Sequence, residues 1–178
     1  MTTKILYEGH RETKARDLQP LRIEEKESII LAGISVITTN ADEINGKGKL
    51  GALWTKFYSD DVSSLIGKPA SDGAIYGCYT DYENGAAGRY RLLIGMKVHN
   101  IDDKPAGLDF VITPAAKYAV FTTSRGPIQE VVFQAWSEIW QWSETSSMKR
   151  TYTGDFEYYD ERCVDPTNAQ VDIYIAIE

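Results

Sequence analysis

The chain has 178 residues, 43% of them hydrophobic and 25% charged, with a formal net charge of −7. This is room for one globular domain or two small fused halves, and the acidity argues against a protein built to grip phosphate backbones. It contains no run of about 18 apolar residues, so no membrane-spanning helix is expected, and two cysteines without C-x-x-C spacing plus two histidines leave no zinc site and no convincing His-based triad.

Residues 1–20, "MTTKILYEGHRETKARDLQP", are polar and lack the apolar core of a signal peptide. They read as an extended arm, and the protein as cytoplasmic. "SIILAGISVITT" (28–39) is rich in β-branched residues and predicts a strand. "NADEINGKG" predicts a loop. In "KLGALWTKFYSD", Leu50, Leu53, Trp54, Phe57 and Tyr58 fall on one face of an amphipathic helix. "GKPASDG" ends it, and "AIYGCYTDY" and "RYRLLIGMKV" follow as strands joined by the turn "ENGAAG".

"HNIDDKPAG" (99–107) has linker composition, and the pattern then starts again. "KYAVFTT" (117–123) is a strand. "PIQEVVFQAWSEIWQWSE" (127–144) is a helix with Ile128, Val131, Val132, Ala135, Trp136, Ile139 and Trp140 as its apolar stripe and Trp142 off it, at a partly exposed rim. "YTGDFEYYDE" and "VDIYIAIE" close the chain as strands. Each half reads strand, helix, strand, strand, and the wording echoes: "YGCYTDYE" with "DFEYYDE", "YRLLIGMKV" with "VDIYIAIE". We read an internal duplication, with repeat one at about 21–100 and repeat two at about 108–178. A single such unit buries its helix poorly, whereas two share a core and leave a cleft between them.

In "TYTGDFEYYDE" (151–161) carboxylates alternate with rings. On a strand, Glu157 and Tyr159 share one face and Phe156 and Tyr158 the other. Phe156 and Tyr158 are expected to pack, and Asp160 and Glu161 to be solvated strand-end charges.

The ordered set "AVF…G", a Trp-containing helix, then "FE-x-Y" resembles the GyrI-like small-molecule-binding domain, the effector-binding module of AraC-type and MerR-type transcription regulators. The resemblance covers roughly residues 21–178, as one effector-binding domain. It implies an α+β fold: tandem β-α-β-β (SHS2-like) units forming a central antiparallel sheet with two long helices and a cleft between the halves. It implies a lipophilic, often cationic ligand, held by the glutamate of "FE-x-Y", here Glu157, with Tyr159 as the motif's tyrosine. Trp54, Tyr58, Tyr76, Trp136 and Trp140 are candidate aromatic walls. Asp81 and Glu83 are the weaker first-half counterparts of the acidic positions. Regulators of the family carry a DNA-reading domain, which the twenty leading residues are too short to form. A stand-alone sensor or sequestering module is therefore expected, without direct nucleic-acid binding, metal or cofactor.

The chemistry suits that reading. An isolated buried carboxylate is costly, but a cation held by Glu157 and flanked by rings gains about 0.5–2 kcal/mol from each ring face. Two alternatives stay open. One is a small-molecule hydrolase with Glu157 as general base on water and Tyr159 orienting or protonating the leaving group. The other is a protein partner, a regulator or DNA gyrase, docked on the acidic surface.

Overall fold

The computed structural model describes residues 19–178 apart from 68, 71, 72 and 104. Most of the expected N-terminal arm, residues 1–18, lies outside the described residues. Among them, eight strands form one antiparallel sheet: β1 (Arg22–Lys26), β2 (Ile29–Thr39), β3 (Ile75–Thr80), β4 (Arg89–Val98), β5 (Asp109–Thr113), β6 (Ala116–Thr122), β7 (Asp155–Tyr159) and β8 (Asp172–Ile177). Four helices accompany them: α1 (Asn40–Ile44), α2 (Leu50–Ser59), α3 (Val62–Leu65) and α4 (Ile128–Thr145). The α+β class and central antiparallel sheet follow the expectation from the resemblance.

The strand order is β1-β6-β8-β7-β3-β4-β2-β5, which is symmetric about the β7–β3 pair. β5 opens the second half yet pairs with β2 of the first, and β1 opens the first half yet pairs with β6 of the second. The two short edge strands thus exchange sides. Local pattern did not single out either one: "RIEEK" is mostly charged, and "DFVIT" is only five residues long.

The loop expected at 40–48 contains α1. Its Thr39 hydroxyl accepts from the Asp42 N–H at 3.0 Å, an N-cap. α1 delivers Glu43 back to the start of α2, where its carboxylate accepts the Lys49 N–H at 2.8 Å and the Leu50 N–H at 3.5 Å. These are N–H groups that a helix start leaves without intrahelical partners.

Both long helices lie on one face of the sheet. Leu53 and Phe57 of α2 pack with Ala32, Leu92 and Ile94, while Ala135, Ile139 and Trp142 of α4 pack with Phe121, Ile173 and Ile175. Trp142 is therefore core and not rim: it is 6% exposed, with its ring 4.8 Å from that of Phe121. It follows Ile139 by three residues and Ala135 by seven, so it shares their helical face. The opposite sheet face carries a third cluster that includes Tyr76, Cys78, Leu93, Tyr118, Phe156 and Tyr174. Because successive strand residues alternate faces, Gly77 and Tyr79 of β3 and Glu157 and Tyr159 of β7 look toward the helices. The two helices cover the two halves, and the central β3–β7 pair floors the gap between them.

Candidate functional site

That gap is a cavity of about 570 Å³. Its floor is the β3–β7 ladder, in which Gly77 is paired with Glu157. Trp54 and Tyr58 of α2 form one side and Trp136 and Trp140 of α4 the other. The Trp54 ring stands 5.1 Å from Tyr159 and stacks on Tyr58 at 6.2 Å, and Trp136 meets Tyr79 edge-on at 5.1 Å.

Glu157 is 2% exposed. Its Oε1 accepts from the Tyr79 hydroxyl at 2.9 Å and from the Trp136 indole N–H at 2.7 Å; its Oε2 accepts from the Tyr159 hydroxyl at 2.6 Å. All three donors are neutral. Among the described residues no Lys, Arg or His forms an ion pair with it. Burial pushes its carboxyl above the ordinary range, and the three hydrogen bonds pull in the opposite direction. Burial, and then the charge of Glu157, raise the Tyr79 and Tyr159 hydroxyls well above their usual value, so both are hydrogen-bond donors at neutral pH.

A second charged centre borders the same cavity. Asp155, two residues before Glu157 on the same strand, is fully buried. Its Oδ2 accepts from Arg150 Nη2 at 2.8 Å and from the Tyr82 hydroxyl at 2.7 Å, and its Oδ1 from the Ala176 N–H at 2.8 Å. The Arg150 guanidinium lies over the Tyr152 ring at 4.3 Å and within 6.0 Å of the Trp136 ring.

Six of the seven residues predicted from sequence border the cavity: Glu157, Tyr159, Trp54, Tyr58, Trp136 and Trp140. Tyr76 does not. It pairs with Tyr158 across the ladder and packs against Phe156 on the far face, so the tyrosine that β3 sends into the cavity is Tyr79. Asp81 and Glu83 are exposed and pair with Arg91 and Arg89. Sequence reasoning missed Tyr79, Tyr82, Tyr90, Glu43 and Arg150 as cavity residues. Alternation in "IYGCYT" separates Tyr76 from Tyr79, but only the pairing of Gly77 with Glu157 says which one faces inward. Among the described residues no three His, Cys, Asp or Glu side chains gather to hold a metal ion, and no helix is long and apolar enough to cross a membrane.

A symmetric antiparallel sheet with two helices over one face and a ring-lined cavity between them defines an effector-binding domain. Comparison with known proteins places it further: residues 22–177 match the family model Cass2, described as integron-associated effector binding protein, and the chain belongs to that family. It is 39% identical over 147 residues to YobU of Bacillus subtilis (strain 168), named as a candidate transcriptional regulator, covering 83% of this chain and 91% of YobU. It is 30% identical over 131 residues to the transcriptional regulator BrlR of Pseudomonas aeruginosa, covering 72% of this chain but only 46% of BrlR. Among solved structures, the integron cassette protein VCH_CASS2 from the mobile metagenome of Vibrio cholerae superposes with a TM-score of 0.72 at 31% identity, covering 90% of this chain and 97% of that one. The structure of SAV2435 bound to tetraphenylphosphonium has the same fold, with a TM-score of 0.72 at 19% identity, covering 88% and 93%.

Proposed function

We propose that the chain binds lipophilic organic cations in the cavity between α2 and α4, with Glu157 as their counter-ion, as a sensing or sequestering module. The observation that carries this reading is a buried carboxylate supplied with three neutral donors and, among the described residues, no positive partner. Three hydrogen bonds offset much of the desolvation, but the net charge stays uncompensated in a low-dielectric site, where an incoming cation is attracted far more strongly than in water. The rings of Trp54, Trp136 and Tyr159 add cation–π attraction of about 0.5–2 kcal/mol each. SAV2435, a protein of the same fold, is bound to a cation of this class. Such forces are weakly directional, so selectivity is by charge and apolar bulk more than by shape.

The test is a titration followed by quenching of tryptophan fluorescence, with tetraphenylphosphonium and its size-matched anion tetraphenylborate. Saturable binding of the cation but not the anion is expected, with at least tenfold weaker cation binding in Glu157→Gln. Equal binding of both ions, or undiminished binding by the variant, overturns the reading.

A further inference from the structure

The guanidinium of Arg150 is underused. Its side chain is 4% exposed and borders the cavity, yet Nη2 to Asp155 is its one hydrogen bond among the described residues. Nε is buried and has no hydrogen-bond partner among the described residues. A guanidinium carries five N–H donors in a fixed fork, and leaving such donors buried and unpaired is costly. A residue kept only to neutralise Asp155 does not need that fork. Nor is Asp155 short of donors, since Tyr82 and the Ala176 N–H also reach it.

The position of Arg150 relative to Glu157 is defined from two sides. Asp155 and Glu157 are two residues apart on one strand face, so their Cα atoms are about 7 Å apart. Trp136 lies between the centres: its indole N–H holds Glu157 at 2.7 Å, and the Arg150 guanidinium is 6.0 Å from its ring. The cavity therefore has an acidic end at Glu157 and, across one indole, a donor-rich basic end at Arg150.

Resting on the cation-binding reading above, we infer that Arg150 is a specificity-determining residue, and that the ligand class this cavity favours is a lipophilic cation that also carries a carbonyl or carboxylate acceptor. The cationic centre sits at Glu157 and the acceptor takes the unpaired Nη N–H groups of Arg150. A bare lipophilic cation fills only half of the polar complement.

Three dyes with one xanthylium core test this: tetramethylrosamine, which has no carboxyl group; tetramethylrhodamine methyl ester, which has a carbonyl acceptor; and tetramethylrhodamine, whose carboxylate makes it a zwitterion. Binding to the full chain is read by fluorescence anisotropy. The wild-type protein is expected to bind the ester and the zwitterion at least fivefold more tightly than the rosamine. In Arg150→Lys, which keeps a cation for Asp155 but loses the fork, the three affinities converge to within twofold of one another. The double variant Arg150→Met/Asp155→Asn removes the ion pair as a unit and serves if Arg150→Lys does not fold; the same convergence is expected. Equal wild-type affinities for the three dyes, or a preference that survives both variants, overturns the inference while leaving cation binding intact. No binding of any dye overturns both.

Discussion

Gly77 and Glu157 face each other across the β3–β7 ladder, and the space left by the missing side chain of one holds the carboxylate of the other. A Cβ on Gly77 would stand 2.8 Å from Glu157 Oε2 and 3.5 Å from the Trp54 ring. The obstacle is the far end of a side chain, so Gly77→Ala is expected to fold and to displace the carboxylate from its tyrosine and indole donors. Cation binding should weaken about tenfold, at a cost in stability of about 1–3 kcal/mol. Gly95→Ala should do the reverse: its Cβ would strike the Ala32 carbonyl in the backbone of β2, at a cost of about 3 kcal/mol. Titration and urea unfolding of the two variants side by side check the contrast.

Cation binding should be lost on acidification, starting above the usual carboxylate range. Burial raises the Glu157 carboxyl, so in the window just above the ordinary value the folded state holds a proton that the unfolded state has released. Stability from this group is therefore greatest below that window and falls as pH rises through it. Cation affinity runs oppositely, dropping about tenfold per pH unit below the raised value. Titrations from pH 4 to 8 should show this slope in the wild type and its absence in Glu157→Gln, and urea unfolding should show the variant lacking the fall in stability.

Tyr79→Phe and Tyr159→Phe each remove one donor from Glu157 without changing ring packing. A hydrogen bond to a charged group contributes about 1.5–3 kcal/mol. Each variant should move the pH midpoint of cation binding upward, since the charged form loses support. Binding at high pH should persist, because an incoming cation supplies the missing stabilisation. An unchanged midpoint in both variants would refute the assignment of these hydroxyls as donors to the carboxylate.

Asp155→Ala should be severe. It strands Arg150, whose pairing is buried, and removes the acceptor for Tyr82 and for the Ala176 N–H. Breaking a buried ion pair from one side costs about 3–5 kcal/mol. A fall of that size in unfolding free energy, read by urea denaturation, is the expected result.

Trp140 and Trp142 are two residues apart and predict opposite phenotypes. Trp142→Ala opens a core cavity against Phe121 and should cost about 3–5 kcal/mol. Trp140→Ala, at the cavity border, should cost far less stability and weaken cation binding by about 1 kcal/mol, the size of one ring contact. Unfolding and titration curves of the pair separate the two roles.

Local pattern was enough for the two long helices, for six of the strands, and for the division of β7 into a face with Glu157 and Tyr159 and a face with Phe156 and Tyr158. These follow from repeats of two or 3.6 residues, which neighbouring residues carry by themselves. The exchanged edge strands, the inward turn of Tyr79 in place of Tyr76 and the approach of Arg150 to the cavity do not. Tyr79 and Glu157 are 78 residues apart in the chain, and what joins them is the register of two strands from different halves. Such a register is set by the summed packing of both sheet faces, so no short stretch of the sequence contains it.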